Sequence, residues 1–213
     1  LSITNVTEFG TIYSLDEMKT LTDIAKAHNL KTHLDGARFA NAMIALDCTP
    51  AELTWKSGID VVSFGATKNG CLGVEAVVFF NPEMAWEFEL RRKRGGHLLS
   101  KHRMLSAQMQ GYLKDDLWIG LARKANSECQ KLFSKIEKNP NIKIIHPPEA
   151  NLIFATIPTK LHDKLISNGA RYNHWSSQMS PLDVPENETK IRLACSWCTT
   201  ELEINKLLEL FNY

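Results

Sequence analysis

The 213-residue sequence lacks the features that mark membrane-spanning, nucleic-acid-binding and disulfide-stabilised proteins. No apolar run approaches the roughly 20 residues that a membrane-spanning helix needs, and no signal-peptide pattern stands at the start. Neither sign of charge is in excess, because 25 lysines and arginines balance 24 acids, so we expect no nucleic-acid or membrane partner. The five cysteines are odd in number and scattered, which indicates free thiols, a reducing compartment and a cytoplasmic location.

Metal-binding and nucleic-acid-binding patterns are missing as well. No cysteines and histidines stand at the spacing of a metal site, so we predict no metal. The basic run RRKRGG at 91–96 is predicted to be a solvated helix end, where cations favour the carboxyl terminus. A nucleic-acid surface would need aromatic side chains between the cations and a wider basic field, and the sequence has neither.

The first part of the sequence alternates helical and strand-like segments. A capping box, S-L-D-E, starts the first helix at Ser14, and the apolar segments 60–65 and 74–80 are typical of strands buried in a parallel sheet. The alternation predicts an α/β layered domain rather than a bundle or a sandwich. The other predicted elements are a strand at 31–34 and helices at 14–28, 38–46, 51–55 and most of 82–138, with breaks near 95–96 and 114.

The pattern changes after Pro140. Strands are predicted at 142–145, 151–157 and 190–195, and helices at 160–167 and 201–211. The last of these helices starts at Thr200 in a second capping box, T-E-L-E. We therefore predict a smaller α+β domain at 140–213, following a larger domain at 1–139.

Asp35 and Lys68 each follow a predicted strand and precede a bend. Ligands in open α/β sheets bind outside such strand ends, so the pair predicts a small-molecule site. A partly desolvated lysine amine is favoured in its neutral form, which is the form that makes an imine with an aldehyde. Each residue also has an ordinary alternative: Asp35 as a turn or helix-capping residue, and Lys68 as a surface lysine whose stem lies along apolar surface.

The motifs around these residues are specific when they are taken in order. HLDGARFANA (33–42), SFGATKNG (63–70) and GVEAVVFF (73–80) are followed by RRKRGGHLLSKHRMLSAQ and, near the end, by KIRLACSW. This series resembles the threonine aldolases, which use pyridoxal 5'-phosphate and have the aspartate-aminotransferase-like fold, fold type I. The resemblance covers nearly the whole chain. It implies an α/β fold: the later half of the large cofactor-binding domain, with a mostly parallel sheet and flanking helices, and then a small α+β domain.

The resemblance also implies roles for five residues. Lys68 would hold the cofactor aldehyde as a Schiff base, Asp35 would pair with the pyridine nitrogen, and Thr67 would contact the cofactor phosphate or ring. Arg38 and Arg192 would bind the substrate carboxylate, a task that suits the planar guanidinium fork. The alternatives are a turn-forming hydroxyl for Thr67, a surface ion pair for Arg38, and an edge-strand arginine on the wet face for Arg192. One departure is Ala66, where many family members have glycine, and its methyl group could crowd the turn.

The implied activity is cleavage of threonine, allo-threonine or a related β-hydroxy-α-amino acid to glycine and an aldehyde, by a dimer or tetramer. Family members carry a ring-stacking histidine and the phosphate-binding loop before the point that matches Leu1. The chain therefore resembles the carboxyl-terminal part of such an enzyme, and we expect no activity if the 213 residues are the whole protein. The alternatives are another fold type I lyase, acting by β-elimination or on phenylserine, and a non-catalytic fragment.

One further motif, C-x-x-C at 195–198, stands between a predicted strand and the last helix. Its placement imitates a thioredoxin-like redox motif. Only a short tail follows it, however, and this leaves no room for the rest of such a fold. We therefore predict two buried, inert thiols rather than a reducible bridge between Cys195 and Cys198.

Overall fold

The computed structural model describes residues 1–174 and 184–211, and it divides into two compact units. The first unit comprises Leu1–Glu8 and Ile12–Arg123, and the second comprises Phe9–Thr11 and Lys124–Tyr213. Each unit holds one four-stranded sheet. The domain boundary after residue 139 stays a prediction.

The helices are α1 (Leu15–Ala27), α2 (Phe39–Ala45), α3 (Pro50–Leu53), α4 (Ala85–Arg94), α5 (Arg103–Leu113), α6 (Leu117–Ile136), α7 (Thr159–Ser167) and α8 (Glu201–Phe211). The strands are β1 (Ser2–Thr4), β2 (His33–Gly36), β3 (Val61–Gly65), β4 (Glu75–Phe79), β5 (Lys143–His146), β6 (Leu152–Pro158), β7 (Asn173–His174) and β8 (Glu188–Ala194). Single 3-10 turns lie at Trp55–Ser57, Thr67–Asn69, Pro82–Met84 and Lys114–Asp116.

The sheet of the first unit, sheet A, has the order β1-β2-β3-β4. Its first three strands are parallel, whereas β4 runs antiparallel to β3, so the predicted mostly parallel sheet is confirmed. The expectation of a buried parallel strand at 74–80 was wrong, because β4 is antiparallel and largely exposed. The segment 66–74 that joins β3 to β4 is too short for the crossover that a parallel pair requires.

The sheet of the second unit, sheet B, is antiparallel, with the order β5-β6-β8-β7. One face of it is apolar, because alternate residues of β6 and β8 point to the same side. This face packs against the helices of the same unit, and the predicted small α+β unit is confirmed. The buried side chains that meet there include Ile153, Ala155, Ile157, Ile191 and Leu193 from the sheet, and Leu132, Leu165 and Ile204 from α6, α7 and α8.

Among the described residues, three helices start with a capping box, in which a hydroxyl and a carboxylate serve each other's backbone amides. The boxes predicted for α1 and α8 are confirmed, and α8 has the predicted bounds. The box of α3 was missed, although its sequence T-P-A-E has the same pattern. The pairs are Ser14 with Glu17, Thr49 with Glu52, and Thr200 with Glu203.

The long helical region breaks where the sequence predicts. Helix α4 ends at Arg94, directly before the two glycines, and its last turn carries the exposed basic run. The second break lies at Asp115 and Asp116, which have φ values of 52° and 56°. Within residues 1–174 and 184–211, no helix is both long enough and apolar enough to cross a bilayer.

We expect removal of the α1 cap to destabilise the fold. The Ser14 hydroxyl accepts from the Glu17 amide at 3.2 Å, and loss of such a cap costs about 1 kcal/mol. Ser14→Ala should therefore lower the free energy of unfolding by about that amount in urea denaturation. Ser14→Thr retains a capping hydroxyl and should change it far less.

The pH dependence of the same cap gives a second test. Hydrogen bonds from the backbone and side chain of Ser14 lower the pKa of the Glu17 carboxyl from its usual 4.5. A carboxyl whose pKa is lowered by folding stabilises the folded state above its unfolded pKa, and this contribution is lost as the pH falls through the folded pKa. The difference in the free energy of unfolding between wild type and Ser14→Ala should therefore become smaller in acid. A difference that stays constant with pH would contradict this account.

Candidate active site

The predicted amine and carboxylate lie at one edge of sheet A. Strands β2 and β3 are parallel and end at Gly36 and Gly65, so both carboxyl ends meet the same edge. Asp35 is the last but one residue of β2, and Lys68 follows β3 in the 3-10 turn Thr67–Asn69. Ligands in open α/β sheets bind at this edge.

Glycine at both strand ends allows the two backbones to approach closely. A Cβ on Gly65 would lie 2.7 Å from the carbonyl oxygens of Gly36 and Ala37. A Cβ on Gly36 would lie 2.7 Å from the carbonyl oxygen of Ser63. Any larger residue would therefore force β2 and β3 apart at the point where Asp35 and the lysine turn leave the sheet.

Asp35 is half-buried and uses one carboxylate oxygen locally. Its Oδ1 accepts from the Ala37 amide at 3.0 Å, which confirms the turn alternative, whereas the position before α2 is occupied by Arg38. Within the described residues, Oδ2 accepts no hydrogen bond, so the turn leaves one oxygen for a ligand. Arg38 is half-buried as well, and its contact with a substrate carboxylate stays a prediction.

His33, which the sequence analysis did not assign, connects the three parallel strands. Its Nδ1 lies 2.8 Å from the Ser2 hydroxyl on β1, and its Nε2 lies 2.9 Å from the Ser63 hydroxyl on β3. His33 is two residues before Asp35 on the same strand, so both side chains belong to one face of the sheet. The two-residue spacing between His33 and Asp35 could have indicated in advance that His33 lies beside the site. The bridge fixes the ring and holds the polar face on which Asp35 lies.

Thr67 braces the lysine turn against the start of β4. Its Oγ1 accepts from the Val74 amide at 3.1 Å and donates to the Val74 carbonyl oxygen at 3.2 Å. A threonine hydroxyl has one proton to donate, and the carbonyl oxygen takes it. The turn-forming alternative for Thr67 is therefore observed, and its contact with a cofactor stays a prediction.

Ala66 does not strain the turn. Its φ of −115° lies in a region that any residue adopts, so no glycine is required there. The side chain is fully buried, and the carbonyl oxygen accepts from the Asn69 and Cys71 amides at 3.0 Å and 3.1 Å. The departure from the family pattern is therefore compatible with the conformation that presents Lys68.

Asn69, the residue after the lysine, is buried and was not predicted to matter. Its Nδ2 donates to the Tyr112 hydroxyl at 2.6 Å and to the Trp118 carbonyl oxygen at 2.9 Å. Burial raises the pKa of Tyr112 to about 12, so this phenol is neutral at physiological pH. The partners lie 43 and 49 residues away along the chain, and no local pattern could have indicated the contacts.

An aromatic cluster lies between the two strand ends and the helices. Phe64 on β3 lies 5.4 Å from Phe39, 5.9 Å from Tyr112 and 5.5 Å from Trp118, measured between ring centroids. Phe39 is the first residue of α2 and directly follows Arg38. Packing of this size fixes the elements on which Arg38, Asp35 and the lysine turn are carried.

Arg192 lies in the second unit, on a strand that has neighbours on both sides. Strand β8 pairs with β6 and with β7, and Arg192 stands opposite Phe154 and Asn173. The alternative of an edge-strand arginine is therefore wrong. Its Nε is shielded from solvent and has no hydrogen-bond partner among the described residues. Binding of a substrate carboxylate by Arg192 stays a prediction.

The C-x-x-C motif holds one buried and one exposed thiol. Cys195 is buried, but Cys198 is exposed, so the prediction of two buried thiols was wrong for Cys198. All five cysteines are free. Cys195 interacts with Cys129, and this hydrogen bond, together with burial, raises the pKa of the Cys129 thiol. In the described part of the chain, no group of three histidine, cysteine or acidic side chains is arranged to hold a metal ion.

A mostly parallel sheet with flanking helices, followed by an antiparallel sheet with its own helices, is the architecture of the fold type I pyridoxal-phosphate enzymes. Residues 1–159 match the beta-eliminating lyase family. The chain belongs to that family.

Named relatives are more specific. The chain is 40% identical over 207 residues to a low specificity L-threonine aldolase from a Pseudomonas species, and 38% identical over 211 residues to one from Pseudomonas aeruginosa. These matches cover 97% and 99% of this chain but 57% of each relative. The solved structure of Leishmania major threonine aldolase is similar with a TM-score of 0.86 at 26% identity, covering 99% of this chain and 59% of that one. The chain thus spans little more than half the length of these proteins.

We expect Gly65→Ala to disturb the candidate site. The added methyl group would lie 2.7 Å from two carbonyl oxygens, and overpacking of this kind costs about 1–3 kcal/mol. Gly120→Ala, within α6, meets no atom within 4 Å and should stabilise the protein by about 0.5–1 kcal/mol. Urea denaturation measures both. Equal stabilities for Gly65→Ala and wild type would disprove the close approach.

Proposed function

We propose that this chain carries the reactive lysine and the pyridine-binding acid of an aldolase that depends on pyridoxal 5'-phosphate. The enzyme would cleave threonine, allo-threonine or a related β-hydroxy-α-amino acid to glycine and an aldehyde. One observation carries the proposal. Asp35, near the end of β2, and Lys68, just after β3, lie at the carboxyl ends of adjacent parallel strands, in a chain 40% identical to a low specificity L-threonine aldolase.

The residues at this edge fit the amine-binding and nitrogen-binding needs of the cofactor. Lys68 is exposed on its turn, and Asp35 keeps Oδ2 without a hydrogen bond from the described residues. Close packing at Gly36 and Gly65 keeps the two points of departure near each other. When bound, the cofactor supplies an electron sink for the bond-breaking step.

Each of the four proposed site residues has a separate role. Lys68 would hold the cofactor covalently through its ε-amine. The Asp35 carboxylate would accept a hydrogen bond from the protonated ring nitrogen and would favour its charged form. Arg38 and Arg192 bind the substrate carboxylate, and two hydrogen bonds from a guanidinium would fix its orientation. Orientation matters because the scissile bond has to be aligned before it breaks.

The reaction balances without an oxidant or a second substrate. The Cα–Cβ bond of the amino acid breaks, the β-hydroxyl loses its proton, and the carbon–oxygen bond becomes the carbonyl group of the aldehyde. The electron pair stays with Cα, which takes up a proton to give glycine. We assign no described residue as the base for the hydroxyl proton. His33 is not a candidate, because both of its ring nitrogens already form hydrogen bonds.

We also propose a cytoplasmic location and a homo-oligomer, dimer or tetramer. Five free thiols support a reducing compartment. Large apolar side chains exposed on and around α4 and α5 support association, since monomers rarely expose such surface. Trp86 is 67% exposed and Met104 is 63% exposed.

Lys68→Ala should abolish covalent attachment of the cofactor. We would titrate pyridoxal 5'-phosphate into the 213-residue chain and into the longest open reading frame that contains it, and record the visible absorbance band. Lys138→Ala, which removes another exposed lysine, should leave the band intact. Glycine release from threonine and from phenylserine should be lost with Lys68→Ala.

Other outcomes of this experiment have distinct meanings. Attachment without glycine release from either substrate, in the longer form, would defeat the aldolase proposal in favour of a lyase acting by β-elimination or of a non-catalytic protein. Release from phenylserine alone would favour an aldolase for aromatic substrates. An absorbance band that survives Lys68→Ala would refute the assignment of Lys68.

Arg192→Gln should weaken binding of the amino-acid substrate. Hydrogen bonds between charged groups contribute about 1.5–3 kcal/mol, so we expect KM to rise by about 10- to 100-fold. Arg192→Lys keeps the charge but loses the planar fork, and it should give an intermediate KM. Arg171→Gln changes an exposed arginine of the same unit and is the control. An unchanged KM in Arg192→Gln would remove this residue from the site.

A further inference from the structure

The turn that carries Lys68 is held by the side chains on both sides of the lysine. On one side, the Thr67 hydroxyl exchanges two hydrogen bonds with the Val74 backbone. On the other side, the Asn69 amide reaches Tyr112 and the Trp118 backbone. Hydrogen bonds on both sides thus hold the Lys68 backbone like a clamp. Those of Thr67 go to a residue near in sequence, and those of Asn69 go to residues far away along the chain.

Asn69 makes the buried half of this clamp. Its exposed fraction is 4%, and those of Tyr112 and Trp118 are 3% and 7%. An amide nitrogen carries two protons, and Nδ2 uses one for each acceptor, at 2.6 Å and 2.9 Å. Loss of this side chain would leave a buried hydroxyl and a buried carbonyl oxygen without their donor, which is unfavourable.

The turn has limited support of its own. Its backbone contributes hydrogen bonds from the Asn69 and Cys71 amides to the Ala66 carbonyl oxygen. Gly70 follows with a φ of 124°, a conformation open to glycine. Farther along, the Gln108 side-chain oxygen accepts from the Leu72 and Gly73 amides. Asn69 is the residue next to Lys68 that ties the turn to the aromatic cluster.

We propose that Asn69 is a positioning residue for Lys68: by donating to Tyr112 and to the Trp118 carbonyl oxygen, it fixes the direction in which the amine leaves the turn. This inference rests on the proposed function for its chemical meaning. Its physical content, an ordered Lys68 side chain, does not need the cofactor. The order and the chemistry can therefore be tested separately.

The first test measures order at Lys68 without cofactor. Lysine amines of the 213-residue chain are dimethylated with ¹³C-formaldehyde, and Lys68→Arg assigns the Lys68 resonance in the NMR spectrum. Lys68 and Lys138 are both exposed, but Lys68 is carried on a turn that is held on both sides, so we expect its resonance to stand apart from that of Lys138. In Asn69→Ala it should move to the position and narrow line width of Lys138. Tyr112→Phe removes one acceptor only and should shift it part of the way.

A matched variant separates positioning from general loss of stability. The Thr22 hydroxyl is buried and donates to the Ser57 carbonyl oxygen at 2.6 Å, elsewhere in the first unit. Thr22→Val therefore also removes a buried donor and should lower Tm, but it should leave the Lys68 resonance unchanged. The proposal is overturned if the wild-type Lys68 resonance coincides with that of Lys138, if Asn69→Ala leaves it in place, or if Thr22→Val moves it equally.

The second test measures reactivity. Pyridoxal 5'-phosphate is added, the adduct is reduced with borohydride, and modified lysines are mapped by mass spectrometry. We expect the rate at Lys68 to fall roughly 10- to 100-fold in Asn69→Ala, since misorientation of a reacting group costs rates of this order, while the rate at Lys138 stays constant. An equal fall at both lysines would overturn the positioning role. No modification of Lys68 in the longest open reading frame that contains the chain would defeat the proposed function, while the NMR result still decides the role of Asn69.

Discussion

The close approach of two strand ends is the constraint on which the candidate site depends. Gly36 and Gly65 leave no space for a Cβ between the carboxyl ends of β2 and β3. Asp35 and the lysine turn therefore leave the sheet from neighbouring points. The same edge is stiffened from within the sheet by His33, which joins hydroxyl groups of β1 and β3. Backbone spacing sets the distance between the elements, and side-chain bonds set their orientation.

The turn that carries Lys68 is held by two sets of hydrogen bonds. Thr67 bonds to a residue near in sequence, whereas Asn69 bonds to the helical region. The aromatic cluster links the second support to the other side of the site, because Phe39 begins the helix that follows Arg38. A substitution in that cluster would therefore shift Arg38 and Lys68 together, although neither side chain belongs to the cluster.

Features that depend on neighbouring residues could be predicted from the sequence. The capping boxes at Ser14 and Thr200 are local patterns, and the breaks before α5 and α6 follow from glycine and turn residues. Asp35 and Lys68 could be found because strand ends and motif order indicate them. The contacts of Asn69 span 43 and 49 residues, and the exposure of Cys198 depends on tertiary packing. Patterns of adjacent residues contain no information on either.

The antiparallel pairing of β3 with β4 has a consequence for the order of assembly. Closing a short loop between strands adjacent in sequence costs little chain entropy, whereas β1, β2 and β3 are joined through whole helices. We expect this hairpin to form early in folding, since local contacts form fastest. The Asn69 amide can find Tyr112 only after α5 has docked. Formation of the hairpin therefore brings the Lys68 amine to its approximate location early. Its final direction is set late, when the Asn69 hydrogen bonds form.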